Sequence, residues 1–111
     1  MIEIIVLNYL KGVLNVPVYT ENQSEMPSKY VFFEKTDGSQ ENYISTATIA
    51  IQSYGSTLYE AALLNEEVKR VMSDIITLDS ISKSKLNGES NNTDTAKKQY
   101  RYQAVYDLVF Y

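Results

Sequence analysis

Close pairs of carboxylates are the residues of this chain that come nearest to a chemical site. Two neighbouring carboxylates can work as general acid and base, or can share a divalent cation. The spacing matches no calcium-binding loop, and helix surfaces and helix ends commonly carry such solvated pairs. We therefore predict no acid–base or metal role for them. The pairs are Asp74 with Asp79, Glu66 with Glu67, and Glu89 with Asp94.

The sequence contains no histidine and no cysteine. The commonest general base, the commonest metal ligand and all thiolate chemistry are therefore missing. The four glycines are dispersed and form no phosphate-binding loop. The sequence thus predicts a protein that is not an enzyme and that has no catalytic residue, no cofactor and no metal.

Tyrosine is abundant, with ten residues and no tryptophan. Tyr100, Tyr102 and Tyr106 alternate in a β-prone segment, so they share one face and could stack single-stranded bases. Such a platform needs a basic groove, whereas the chain has a formal net charge of −4. We therefore favour a core or a protein interface for these rings.

The charge of the chain also argues against membranes and nucleic acid as partners. The longest basic cluster is Lys97, Lys98 and Arg101, and lysines near a strand edge more often prevent aggregation. No run of about 18 apolar residues occurs. We expect no membrane partner and no specific nucleic-acid partner.

Two helices are predicted from apolar residues at helical spacing. The first spans residues 2–14 and stops before Pro17. The second runs from Thr57 to Ile76, with Thr57 and Glu60 as a capping box and Glu66 and Arg70 as an exposed pair. Its predicted core-facing residues are Leu64, Val68, Val71 and Ile75.

Several segments have the composition or alternation of strands. Residues 18–20 and 30–35 are β-prone, and Asp37-Gly38 then predicts a hairpin turn. Residues 42–54 and 99–111 alternate over a longer stretch, whereas residues 78–86 are ambiguous and could form a strand. A polar loop is expected from Glu21 to Ser28.

The segment from Asn87 to Lys98 is polar and predicts a long, mobile loop or a hairpin tip. Because it holds almost nothing to bury, we propose it as an assembly loop that becomes ordered on contact with a partner. The candidate assembly residues are Asn87, Gly88, Glu89, Asn91, Asn92, Asp94, Lys97 and Lys98.

The predicted order is therefore α-β-β-β-α-(β)-β in a single domain of residues 1–111. Runs of strands, instead of regular alternation with helices, favour the α+β class. We predict a mostly antiparallel sheet of four to five strands with two helices packed on one face.

This pattern resembles a known family. An N-terminal helix leads to Val-Pro-Val-Tyr at residues 16–19, and the strand Ala-Thr-Ile-Ala-Ile-Gln-Ser-Tyr at 47–54 precedes the second helix. The final strand contains Arg-Tyr-Gln-Ala-Val-Tyr-Asp-Leu at 101–108. Over nearly its full length the chain looks like the small tail-completion, or tail-terminator, proteins of long-tailed phages and prophages of Gram-positive bacteria.

The resemblance implies a structural virion protein that is assembled in the host cytoplasm and located in the tail or neck. It implies a homo-oligomeric ring, usually of six subunits, that caps the tail tube and joins it to the head. The implied partners are the chain itself, the tail-tube protein and a head-connector protein. DNA would pass through such a ring. From the net charge of −4 alone we further hypothesise an acidic lumen that repels the DNA phosphates.

Two alternatives remain open. The chain could be another head–tail connector component, a stopper or an adaptor. It could also be a small protein-binding module that acts through an exposed sheet edge.

Overall fold

The computed structural model describes residues 1–21 and 23–111. These residues form two α-helices, a short 3₁₀ helix and one five-stranded sheet. The class and the order of elements confirm the predicted α+β arrangement, and the ambiguous segment after residue 78 supplies a fifth strand. The helices are α1 (Ile2–Val13) and α2 (Leu58–Ser73), with the 3₁₀ helix at Ile75–Thr77. The strands are β1 (Val18–Tyr19), β2 (Tyr30–Glu41), β3 (Ile44–Gly55), β4 (Ile81–Asn91) and β5 (Tyr100–Phe110).

The strands lie in the order β1-β2-β3-β5-β4. All pairs are antiparallel except β1 with β2, which is parallel and covers only Val31 and Phe32. The edge strands of the sheet are therefore β1, with two residues, and β4, with eleven residues.

Strand register divides the sheet into a helix-covered face and an open face. Phe33 pairs with Ile51, and Ile51 pairs with Ala104, so these three side chains point to the same side. All three are fully buried. We call this side the helix-covered face. Residues that alternate with them, such as Gln52 and Gln103, form the open face.

Both helices add an apolar stripe to one core cluster. In α1 the stripe is Ile2, Val6 and Leu10. The hydroxyl of Tyr9 in α1 donates a 2.6 Å hydrogen bond to the carbonyl of Val71, which ties α1 to α2. The predicted core-facing residues are confirmed: Leu64, Val68, Val71 and Ile75 are all buried.

The start of α2 is fixed by a cap and by a close approach to β3. The amide of Glu60 donates to Thr57 Oγ1 at 3.1 Å, as the capping box predicts. The Glu60 carboxylate accepts from the amide of Ser56 at 3.1 Å. A Cβ on Gly55 would lie 2.5 Å from the amide nitrogen of Ala61. Only glycine therefore lets the helix begin this close to the strand.

The predicted turn at Asp37-Gly38 is wrong. Both residues lie within β2, and the chain turns at Asn42 and Tyr43, which have φ values of 52° and 67°. A two-residue turn at Asp37-Gly38 would set Phe33 opposite Asn42. The observed register sets Phe33 opposite Ile51, so the apolar pattern overrides the local turn signal.

Other boundaries also differ from the sequence-based prediction. The helix predicted to Ile76 ends as an α-helix at Ser73 and continues as the 3₁₀ helix. Strand β2 extends well past residue 35, with an irregularity in register between Lys35 and Asp37. Within the loop predicted from Glu21 to Ser28, Asn22 lies outside the described residues.

Candidate assembly surfaces

The candidate assembly residues divide between a strand and a turn. Asn87, Gly88, Glu89 and Asn91 belong to β4, so a loop beginning at residue 87 is incorrect. Gly88, Glu89 and Asn91 pair with β5, and Asn87 lies at an irregularity in the register between Leu86 and Gly88. The other four candidates, Asn92, Asp94, Lys97 and Lys98, lie in the β4–β5 connection. We call residues 92–99 the hairpin tip.

The hairpin tip is closed by hydrogen bonds. Asp94 and Gln99 exchange backbone hydrogen bonds of 2.9 and 3.0 Å. Asp94 Oδ1 also accepts from the amides of Ala96 and Lys97 at 3.1 and 3.2 Å. Thr93 Oγ1 accepts from the amide of Arg101 at 3.2 Å. The polar residues that suggested a mobile loop thus serve partly as turn-forming groups.

Glu89 has a structural contact. Its carboxylate lies 2.7 Å from the ammonium nitrogen of Lys69 on α2. Lys69 also contacts Glu66 at 2.9 Å, and the two carboxylates hold the pKa of Lys69 above its usual range. Glu89 therefore fastens β4 to α2.

The other predicted charged pairs are also resolved. The guanidinium of Arg70 binds Glu67, with 3.1 Å from Nε to Oε2, so the predicted Glu66–Arg70 pair is wrong. Glu67 is three residues before Arg70, which is also a neighbouring position on a helix. Among residues 1–21 and 23–111, no group of three or more acidic, histidine or cysteine residues is placed to hold a metal ion.

An aromatic groove lies beside the hairpin tip and was not predicted. Tyr30 and Tyr54 stack with ring centroids 4.3 Å apart, and Tyr19 meets Tyr30 edge-on at 6.0 Å. Burial, with a smaller contribution from Tyr54, raises the pKa of Tyr30 to about 12. The groove is also lined by Pro27 and Lys98. The stacked rings of this groove meet because Tyr30 pairs with Tyr54 in the observed β2–β3 register. The predicted turn at Asp37-Gly38 implies a different register, so the sequence did not reveal the groove.

Arg101 is used within the chain. Its Nε donates to the carbonyl of Asn92 at 2.8 Å, and its Nη1 donates to the Tyr54 hydroxyl at 3.0 Å. Only Lys97 and Lys98 of the predicted basic cluster remain exposed. Of the three tyrosines considered for base stacking, Tyr106 is buried and its hydroxyl lies 3.5 Å from the carbonyl of Lys69 on α2. The core interpretation therefore holds for Tyr106.

Exposed apolar side chains mark both ends of the molecule, which measures 46 Å along its longest axis. The turn of the β2–β3 hairpin presents Tyr43, 90 % exposed, and Ile44, and Tyr111 follows the strand end beside them. We call these three residues the turn-end patch. The opposite end of the hairpin leads into α2, whose first turns expose Leu58, Tyr59 and Leu63. We call these three the helix-end patch.

The two patches are far apart because the hairpin is long. Strands of twelve residues extend about 40 Å. Gly55 ends β3 and pairs with Tyr100, so the helix-end patch and the hairpin tip lie at the same end of the sheet. The molecule thus has two chemically similar but separate apolar surfaces.

Comparison with models of known protein families finds no family that matches the chain. Comparison with curated proteins finds no significant relative. Within the described residues, no helix is long and apolar enough to cross a membrane.

Proposed function

We propose that this chain is a structural virion subunit that assembles into a closed ring, caps a phage tail tube and helps to join the tail to the head. The family resemblance implies six subunits. The chain acts by binding other proteins and performs no catalysis. Its proposed location is the neck or tail of the virion.

The observation that carries this proposal is the pair of exposed apolar patches at opposite ends of an elongated domain. A subunit placed between a tail tube and a head connector must contact a different protein at each end. Exposed tyrosine and leucine side chains supply large contact area at such surfaces. Tyr43 in the turn-end patch and Tyr59 in the helix-end patch are 90 % and 72 % exposed.

The position of the hairpin tip supports the same arrangement. Asn92, Asp94, Lys97 and Lys98 lie at the end of the sheet that carries the helix-end patch. A polar rim beside an apolar centre is typical of protein interfaces. We therefore assign the tip to the same axial contact as Leu58, Tyr59 and Leu63.

A protein-binding module is the second candidate, and the free edge of β4 favours it. Within the described residues β4 pairs on one side only, with β5. A peptide could add to this edge as an extra strand. A chain that remains monomeric by size-exclusion chromatography, even with the tail-tube protein of the same phage, would favour this function over the ring.

Tail length in phage particles tests the main proposal. We expect the variants Tyr43→Ser/Ile44→Ser and Leu58→Ser/Tyr59→Ser to fold normally and to give tails of irregular length or tails without heads. Val13→Ser is the matched control, because Val13 is 41 % exposed at the C-terminal end of α1 and belongs to neither patch. Uniform tails joined to heads in both patch variants would contradict the proposal. Particles in which the protein is found at the head portal would place it as a stopper or adaptor.

A further inference from the structure

We infer that copies of this chain meet edge to edge, with β4 of one copy adding antiparallel to the outer part of β2, residues 34–41, of the next. This inference rests on the proposed ring and supplies its lateral contact. The partner is a second copy of the chain.

Both edges are long and free to pair within the described part of the chain. Strand β4 has eleven residues and, among the elements of residues 1–21 and 23–111, no neighbour on its outer side. Strand β1 covers β2 only at Val31 and Phe32, so β2 has an open outer edge from Glu34 to Glu41. Unpaired strand edges of this length are templates for another strand.

The directions of the strands suit a contact that repeats around a ring. Strand β2 is antiparallel to β3, β3 to β5, and β5 to β4, so β4 runs opposite to β2. When two copies stand side by side in the same orientation, β4 of one meets β2 of the other as an antiparallel pair. Such a contact joins two different surfaces and closes by rotation.

The charges on the open face are complementary. Glu34, Asp37 and Glu41 project from the open face of β2, because their partners on β3 alternate with the buried residues. Lys83 and Lys85 project from the open face of β4 by the same criterion. The outer row of β2 is therefore acidic, and the outer row of β4 is basic.

Register places Lys85 at the height of Asp37 along the sheet, and Lys83 at the height of Ser39. Opposite charges in directly opposed cross-strand positions stabilise a sheet. Within one chain, Lys85 already lies beside Asp107, whose carboxylate accepts a 2.8 Å hydrogen bond from Thr48, whereas Lys83 lies beside the uncharged Val109. The two rows across the sheet are Lys85–Asp107–Thr48–Asp37 and Lys83–Val109–Thr46–Ser39.

The helix-covered face adds an apolar match. Leu86 on β4 is 41 % exposed, and its row across the sheet ends at Lys35 of β2. Beside Lys35, an open groove is lined by Ile4 and Leu7 of α1 and by Phe33. In an unstaggered pairing, Leu86 of one copy faces this groove of the next.

Symmetric contacts between like edges are unfavourable. Two β4 edges would bring lysines together, and two β2 edges would bring carboxylates together. Like charges in opposed positions destabilise a sheet. The charge pattern therefore selects the head-to-tail contact over a two-fold dimer.

Disulfide trapping tests the contact. Because the chain has no native cysteine, every disulfide joins two introduced residues. One full-length chain carries Asp37→Cys and another carries Lys85→Cys. Mixed under mild oxidation, they should form a disulfide-linked heterodimer. Each variant alone should form almost none. A chain with both substitutions should form a ladder of linked oligomers, because its own two cysteines are about 14 Å apart across three strand spacings, beyond the reach of a disulfide.

A second pair and a control fix the register. Ser39→Cys mixed with Lys83→Cys tests the neighbouring row. Asp37→Cys mixed with Lys97→Cys is the matched control, because Lys97 is equally exposed but lies in the hairpin tip. In addition, Lys83→Glu/Lys85→Glu should weaken self-association about tenfold. Mixing it with Glu34→Lys/Asp37→Lys should restore the association.

The outcomes separate this inference from the proposed function. Cross-linking of either single variant to itself, or mixed products no stronger than the control, would overturn the edge contact. Rings seen by electron microscopy without these cross-links would leave the tail-capping proposal standing. Cross-linked oligomers that never close or never bind tail tubes would instead retain the edge contact and overturn the ring.

Discussion

The covered part of the sheet and the outer arm of the β2–β3 hairpin belong to the same two strands but have opposite environments. Under α2, Ile49 and Ile51 are fully buried. In the arm, residues 34–44, every residue is exposed. Both regions have backbone pairing, but only the first is covered by helices and carries apolar side chains beneath them. Stability is therefore concentrated in the first region, and the second is available for partners.

The largest effect is expected in the covered region. Val68→Asp places a charge without a counter-ion at a fully buried position, which should cost several kcal/mol of unfolding free energy. Chemical denaturation followed by circular dichroism measures this loss. Leu63→Asp is the control on the same helix, because Leu63 is 49 % exposed and should change stability by less than about 1 kcal/mol. Equal losses would show that the faces of α2 are assigned incorrectly.

A smaller loss is expected where α2 approaches β3. Gly55→Ala would bring a methyl group within 2.5 Å of the Ala61 amide nitrogen, and such overpacking costs about 1–3 kcal/mol. Gly88→Ala is the control, because a Cβ there meets nothing within 4 Å. The comparison uses thermal melting of both variants, and a drop at Gly88 as large as at Gly55 would refute the role of this approach.

The turn of the arm offers a variant that separates folding from assembly. Tyr43 has a positive φ of 67°, which suits glycine, so Tyr43→Gly should stabilise the isolated chain by up to about 1 kcal/mol. The same change removes the most exposed ring of the turn-end patch, so binding to the proposed axial partner should fall. Melting temperature and sedimentation with tail tubes measure the two effects. Loss of stability together with unchanged binding would reverse our assignment of this residue.

The smallest effect is expected in the pH dependence of stability. Burial raises the pKa of Tyr30 to about 12, above the ordinary tyrosine pKa of about 10. The folded state therefore holds this proton more tightly, and the resulting stability is complete below about pH 10 and is lost as the pH rises toward 12. Tyr30→Phe should lose stability less steeply than the parent chain between about pH 10 and pH 12. Burial also raises the pKa of Tyr106, so both proteins keep part of the loss of stability with rising pH. Identical slopes would contradict the assignment to Tyr30.

The sequence predicted the elements whose periodicity is long and unambiguous. The stripe of α2 identified Val68 and Ile75 as buried, and the alternation of residues 99–111 identified the long strand β5. Thr57 marked the start of α2 because a capping hydroxyl is a local signal. These features depend on neighbours within a few residues.

The errors arose where tertiary contacts override local signals. Asp37-Gly38 has the composition of a turn, yet the pairing of Phe33 with Ile51 carries both residues through β2. Glu89 and Asn91 have the composition of a loop, yet pairing with β5 makes them part of an edge strand. An edge strand pairs with a single neighbouring strand and often carries charged and polar side chains. Its composition therefore resembles that of a loop.

The candidate assembly surfaces could be located only in part for the same reason. Of the candidate residues at the hairpin tip, Lys97 and Lys98 are exposed, whereas Asn92 and Asp94 are half-buried. The end patches and the opposed charged edges became visible only once strand order and register were known. No local pattern connects Asp37 with Lys85, which are brought into the same row by two intervening strands.

Electron microscopy of the chain mixed with preformed tubes of the proposed tail-tube partner shows whether the chain caps a tube as a ring. We expect a closed ring of density with rotational symmetry at one end of each tube, and tubes that no longer elongate when further tube protein is added. Chain that stays unbound, or that coats the tubes along their length, would contradict the proposed capping role.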